Sequence, residues 1–158
     1  MGLPPSVVKF KKGNMEFVSE VDRAQYTITE LARAALRDTG RYLKREIQAN
    51  VPVFRGVLRQ NVGFWVPKAE KGQLPELQVG IYKPSVSRKK KLRPAYHAHL
   101  VQFGARGGIM PANPFLDTTT YANIETIRTL QAKYLSAIDD TGTAQGLIDE
   151  DEYDGEEP

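Results

Sequence analysis

The apolar positions change period twice along the chain. From Ser6 to Val21 they alternate loosely, Val8 with Phe10 and then Met15 with Phe17, around Lys12-Gly13-Asn14. Alternating runs on either side of a Gly-Asn pair predict a β-hairpin, or an arm that orders only against a neighbour. From there to Asn50, Ile28, Leu31, Ala35, Thr39, Leu43 and Ile47 recur at helical steps. That spacing predicts one long amphipathic helix, starting at Asp22 or Thr27, whose other face carries Arg33, Arg37, Arg41, Lys44 and Arg45. Gly40 inside the stripe costs a helix ~1 kcal/mol against Ala, so it predicts close packing at that point.

The helix should stop at about Asn50, because Pro52 lacks an amide donor and pushes the residues before it out of the helical region. Gly56 suits a sharp change of direction. After it the period becomes two: Leu58, Gln60, Val62, Phe64 and Val66 on one side, Arg59, Asn61, Gly63 and Trp65 on the other. This predicts a strand from Leu58 to Val66, a loop from Pro67 to Gln73, and a second strand through Leu77, Val79 and Ile81, antiparallel to the first. In the segment from Lys83 to Pro94, mutual repulsion and proline predict an exposed loop. Tyr96, Leu100 and Phe103 then fall at helical spacing, with Gly104 as the stop. Pro114, Phe115 and Leu116 open a last helix, running from about Leu116 to Ile138. The fold class is thus α+β: a long N-terminal helix, a small antiparallel sheet, a C-terminal helix packed on one face, and flexible ends.

Charge changes this picture at both ends. Nine of the 19 acidic residues lie from Asp139 onward, where there is no Lys or Arg, leaving ten acids against all 22 bases in residues 1–138. The body is therefore +12 and the end −9. A like-charged end with few apolar residues predicts a mobile acidic tail, either solubilising or covering a basic surface until a partner displaces it. The expected division is an N-terminal arm or hairpin over 1–21, an α+β domain over 22–138 and the tail over 139–158.

Candidate chemistry is sparse. Arg88, Lys89, Lys90, Lys91 and Arg93 form a dense basic run suited to sequence-independent phosphate contact or to an acidic partner. His97 and His99 are the only histidines and have no acidic neighbour in sequence, so a zinc site with its usual three protein ligands is the minor reading. Gly104 to Gly108 lacks the spacing of a nucleotide-binding loop. The chain has no cysteine, so thiol catalysis and disulfides are excluded. No apolar run approaches the ~18 residues that a membrane span requires. No Ser-His-Asp, paired-carboxylate or metal-ligand pattern stands out, so neither catalysis nor a cofactor is expected.

Two separated motifs carry a family resemblance. Val51-Pro52-Val53 with Gly56 and Leu58-Arg59 comes first; Tyr96-x-Ala98 with Phe103-Gly104 and Pro114-Phe115-Leu116 follows. In this order and at this distance they resemble the neck and tail-completion proteins that join head to tail in long-tailed bacteriophages, over roughly residues 25–138. Members usually carry Glu where this chain has Gln102, and often Thr where it has Ala105. The resemblance implies a structural virion protein: a homo-oligomeric ring, six- or twelve-fold, around the channel that carries genome DNA. It also implies neighbouring head-completion and tail-terminator or tail-tube rings as partners, the neck as location, and assembly in the host cytoplasm. The alternative is a nonspecific nucleic-acid-binding module using the basic run from Arg88 to Arg93, and a metal-dependent enzyme around the histidines stands third.

Overall fold

A computed structural model of the protein describes residues 7–12, 15–19, 21–52, 56–67, 74–105 and 110–153. The chain opens with β1 (Val7–Lys12) and β2 (Met15–Ser19), an antiparallel pair with a bulge between Val8 and Phe10 and with Phe10 opposite Phe17. The expected hairpin is present; its Gly13-Asn14 turn lies outside the described residues. Among the described residues, the two strands make their extensive contact with each other.

Helix α1 (Val21–Asn50) is the axis of the molecule, about 45 Å long at ~1.5 Å per residue. Its stripe is buried at Leu31, Ala35, Thr39, Leu43 and Ile47, and the Thr39 hydroxyl donates to the Ala35 carbonyl at 2.8 Å. Ile28 stays exposed instead, beside an apolar groove of about 290 Å³ that α1 forms with Leu74, Pro75 and residues between Gln131 and Ile138. On the basic side, Arg33 pairs with Glu30 at 3.2 Å and Arg41 with Asp38 at 3.6 Å. A Cβ at Gly40 would stand 2.3 Å from the Phe64 ring, which is the close packing its position in the stripe predicts.

The stripe serves two separate cores. In its first half Leu31, Ala34 and Ala35 pack with Tyr134, Ala137, Ala144, Leu147 and Ile148. In its second half Leu43, Ile47 and Val51 pack with Leu58, Val62, Ala95, Val101 and Phe115. Each large aliphatic side chain so buried contributes roughly 1.5–3 kcal/mol against exposure.

Beyond Pro52 the structure departs from the alternating pattern. Leu58 lies in a short helix, α2 (Val57–Gln60), rather than a strand, and β3 is confined to Val62–Trp65. Gly56 stands before α2 at φ 67, ψ 2, left-handed backbone that starts the new helix. Asn61 then ends it, its amide bonding Leu58 O at 3.0 Å. β3 pairs antiparallel with β4 (Gln78–Ile81), Phe64 opposite Val79, as the second alternating run predicts. The two hairpins form separate two-stranded sheets.

The segment expected to be a loop begins as a helix, α3 (Pro84–Lys89). Proline is pre-organised for a first helical position, and Arg88 and Lys89 fall in the last turn, where cations suit the carbonyl end. Helix α4 (Ala98–Phe103) follows. The expected single C-terminal helix is two, α5 (Phe115–Ala122) and α6 (Ile124–Leu135). Asn123 divides them: its amide donates to Thr119 O at 2.9 Å while its carbonyl oxygen accepts from the Tyr42 hydroxyl at 2.6 Å. That side-chain competition for backbone groups explains the break.

The acidic end also differs from expectation. Residues Thr141–Tyr153 form helix α7, which packs along α1 and buries Ala144, Leu147 and Ile148. Asp140 starts it, accepting from the Gly142 amide at 3.0 Å and from the Thr143 hydroxyl. The apolar spacing of Ala144, Leu147 and Ile148 is helical, and the run of acids after them hid it. Residues 154–158 lie outside those described.

Candidate interaction surface

One buried asparagine holds the functional end of the molecule together. Asn61 has no exposure, and its amide donates to Val57 O at 2.7 Å and Arg93 O at 2.8 Å. Its side-chain oxygen accepts from the buried Ser87 hydroxyl, and its backbone carbonyl accepts from the Tyr82 amide at 2.8 Å. Every polar atom of the amide group is thus matched, and α2, β3, α3 and the strap leading to α4 are pinned to one point. Period-two reading placed Asn61 on a polar strand face. A lone Asn between Gln60 and Val62 gives no sign of this role, because its partners lie as far as 32 positions away.

This anchor sets out the basic run on the surface. Arg88, Lys89, Lys90, Lys91 and Arg93 are all exposed. Lys90 Nζ lies 5.0 Å above the Tyr82 ring, and Lys91 has φ 57, so the chain turns sharply after α3. Arg88 donates to the Tyr96 hydroxyl at 2.7 Å, tying the run to the start of α4. The expected helix around Tyr96, Leu100 and Phe103 exists, but its inward residues are Val101 and Gln102. Tyr96, Leu100 and Phe103 stand outward at 65%, 43% and 68% exposure. The surface is therefore cationic on one side and apolar on the other.

Behind it, Gly104 at φ 79 ends α4 where a Cβ would sit 3.0 Å from Met110 O, and the Ala105 amide returns to that carbonyl at 3.0 Å. Gln102, buried, accepts from the Leu116 amide at 3.4 Å and donates to Asp117 Oδ2 at 3.0 Å. It thereby meets an amide of the first turn of α5 that has no partner within the helix. Pro114 precedes that turn and is exposed; Phe115 is buried in the second-half core. Of the first motif, Leu58 is buried in that core, Pro52 is half-buried and Arg59 is exposed, with its carbonyl accepting from Gln48 at 3.1 Å. The structure brings Arg88 and Tyr96 together, and through Asn61 it joins Arg93 to α2. It does not bring Arg59 to the basic run by any contact among the described residues.

The histidines do not converge with other ligands. His97 is half-buried with Nε2 lacking a hydrogen-bond partner, and His99 lies against Phe103 at 5.4 Å between ring centroids. Among the described residues no three His, Cys, Asp or Glu side chains gather as a metal site would require. The loop from Gly104 to Gly108 falls mostly outside the described residues.

The described body thus joins sheet and helices and carries exposed aromatics beside a basic run. The model of the HK97-gp10-like family, bacteriophage HK97-gp10 tail component, matches residues 15–104. The chain belongs to that family. The match takes in β2, α1 and the whole surface from α2 to Gly104; β1 and the last three helices lie outside it. No curated protein and no solved structure matches the chain. The protein is accordingly a structural phage tail component, a constituent of the virion whose working contacts are with other virion proteins. Among the described residues no helix is long and apolar enough to cross a membrane.

Proposed function

We propose that this tail component forms a ring at the head-to-tail junction of a long-tailed, siphophage-type virion, around the channel through which genome DNA passes. Its role there is structural rather than catalytic. The observation that carries this is the outward α4 face: Tyr96, Leu100 and Phe103 are exposed together beside five cations. A soluble subunit has reason to present such a surface only if something covers it in the assembly. The β1–β2 pair supports the same reading, since an isolated two-stranded hairpin is marginal alone and gains from a neighbour. The adjoining partners are then the head-completion ring on one side and the tail-terminator or tail-tube ring on the other. Size-exclusion chromatography with light scattering tests it: a closed six- or twelve-fold species is expected, and a monomer at every concentration and salt refutes the ring. A truncation beginning at Asp22 should fold yet assemble poorly; normal assembly would reduce the hairpin to a local feature.

The exposed run from Arg88 to Arg93 also favours a second reading, a nonspecific nucleic-acid-binding module. It predicts duplex binding by a monomer that weakens steeply with salt.

A further inference from the structure

We propose that the α3–α4 surface is the docking site for the acidic C-terminal segment, residues 149–158, of a second copy of the chain. The inference rests on the ring reading and names the contact that closes it. The receiving surface offers five exposed cations, Arg88, Lys89, Lys90, Lys91 and Arg93, joined through the Arg88–Tyr96 hydrogen bond to exposed Leu100 and Phe103. Residues 149–158 contain seven of the chain's acids, no base and one aromatic, Tyr153. Charge and apolar character thus match on both sides.

The placement of the two partners argues for a contact between copies. The acidic run begins directly after Ile148, which belongs to the core on the first half of α1 with Leu31. The basic surface belongs to the other core: Ala95 and Val101 pack with Leu43, Ile47 and Val51 on the second half. From Leu31 to Val51 is about 30 Å along the helix at ~1.5 Å per residue. The acidic run therefore follows in sequence from the core on one half of the long axis, while the basic surface is built on the core of the other half. Complementary patches at different places on one molecule make a head-to-tail contact, which closes into a ring when the rotation allows. Duplex DNA would engage the cations but leave Leu100 and Phe103 without a role.

Two charge-reversed chains test this. In one, Arg88, Lys89, Lys90, Lys91 and Arg93 become Glu; in the other, Asp149, Glu150, Asp151, Glu152 and Asp154 become Lys. All these positions are exposed or beyond the α7 core residues, so circular dichroism and thermal melting should match wild type. Each variant alone should require a concentration about tenfold or more higher to assemble, because like charges then face each other. An equal mixture should recover the oligomer, since each variant supplies what the other lost. Recovery only when both reversals sit in one chain, and not in the mixture, would place the contact within a copy and overturn the proposal. Should a reversed chain not fold, neutral replacement of the same residues by Gln carries the same expectation with a smaller shift. A wild-type monomer refutes the ring itself. Wild-type-like rings from both variants refute only this contact, as does loss of duplex binding by the basic-run variant with its oligomeric state unchanged.

Discussion

At the first half of α1 the core is helical and fine-grained: four alanines and two leucines among its eight members, gathered from α1, α6 and α7 with the Ala137 turn between them. At the second half it mixes helix, strand and strap, and a fully hydrogen-bonded asparagine is set at its edge. The first is apolar packing that any well-shaped set of small residues can approximate. The second depends on particular atoms meeting, because a buried amide group without its partners costs more than the same group exposed. The family match covers most of the second region and, of the first, only its α1 face. The interaction surface hangs from the specific region, whereas the acidic segment hangs from the permissive one.

The sharpest way to break this contrast is at Asn61. Asn61→Ala takes the donor from two backbone carbonyls and leaves the Ser87 hydroxyl only the longer bond to Lys83 O at 3.3 Å, and should cost about 3 kcal/mol, given ~1–3 kcal/mol per buried polar group left without a partner. Urea denaturation measures it; a loss below 1 kcal/mol would mean the amide is replaceable by water. Leu147→Ala should cost about 2–3 kcal/mol of packing at the other core. Hydrogen exchange should show that loss in α7 while β3 and β4 keep their protection; equal loss in both would make the two cores one cooperative unit. Gly56→Val forces a β-branched residue to φ 67 and should cost ~1–3 kcal/mol, although a Cβ there meets nothing within 4 Å. A Gly56→Asn chain, tolerant of left-handed backbone, should recover part of it, and failure to do so would point away from backbone strain.

The smallest effect concerns pH. The Thr143 hydroxyl, followed by the amides of Gly142 and Thr143, holds the Asp140 carboxyl below its ordinary value of 3.8. A carboxyl lowered in the folded state adds stability above its unfolded value and loses it as pH falls through the folded one. Exchange in the first turn of α7 should therefore rise as pH drops below about 3.8, and Asp140→Asn should flatten that dependence. A pH profile unchanged by Asp140→Asn would remove the cap from the account.

What the sequence makes legible follows the same divide. Helix α1, its end near Pro52, the antiparallel partner strand and the tight approach at Gly40 all come from local rules of period and backbone freedom. The α2 turn in place of a strand does not, because Leu58 fits an alternating run equally well and Asn61 decides the matter through Ser87 and Arg93. Helix α3 is obscured by charge repulsion, whose cost an exposed run reduces by pointing its cations into water. The break at Asn123 depends on the hydroxyl of Tyr42, 81 positions earlier. The amphipathic stripe through Tyr96, Leu100 and Phe103 is real as spacing but faces outward, and spacing alone does not distinguish a core from a contact.

The joint between α4 and α5 has an implication for which substitutions travel together. Gln102 reaches Asp117 at 3.0 Å while accepting from the Leu116 amide. The family resemblance leads one to expect Glu in place of Gln102, and beside the Asp117 carboxylate it would set two negative charges within hydrogen-bonding distance in a part-buried setting. The amide and the acid are thus a matched pair, neutral donor to charged acceptor. A lineage acquiring Glu at the first position would gain by losing the carboxylate at the second, because like charges at that distance repel. Keeping Gln102 lets the surface-bearing helix be held by one side chain that accepts from an amide and donates to a carboxylate at once.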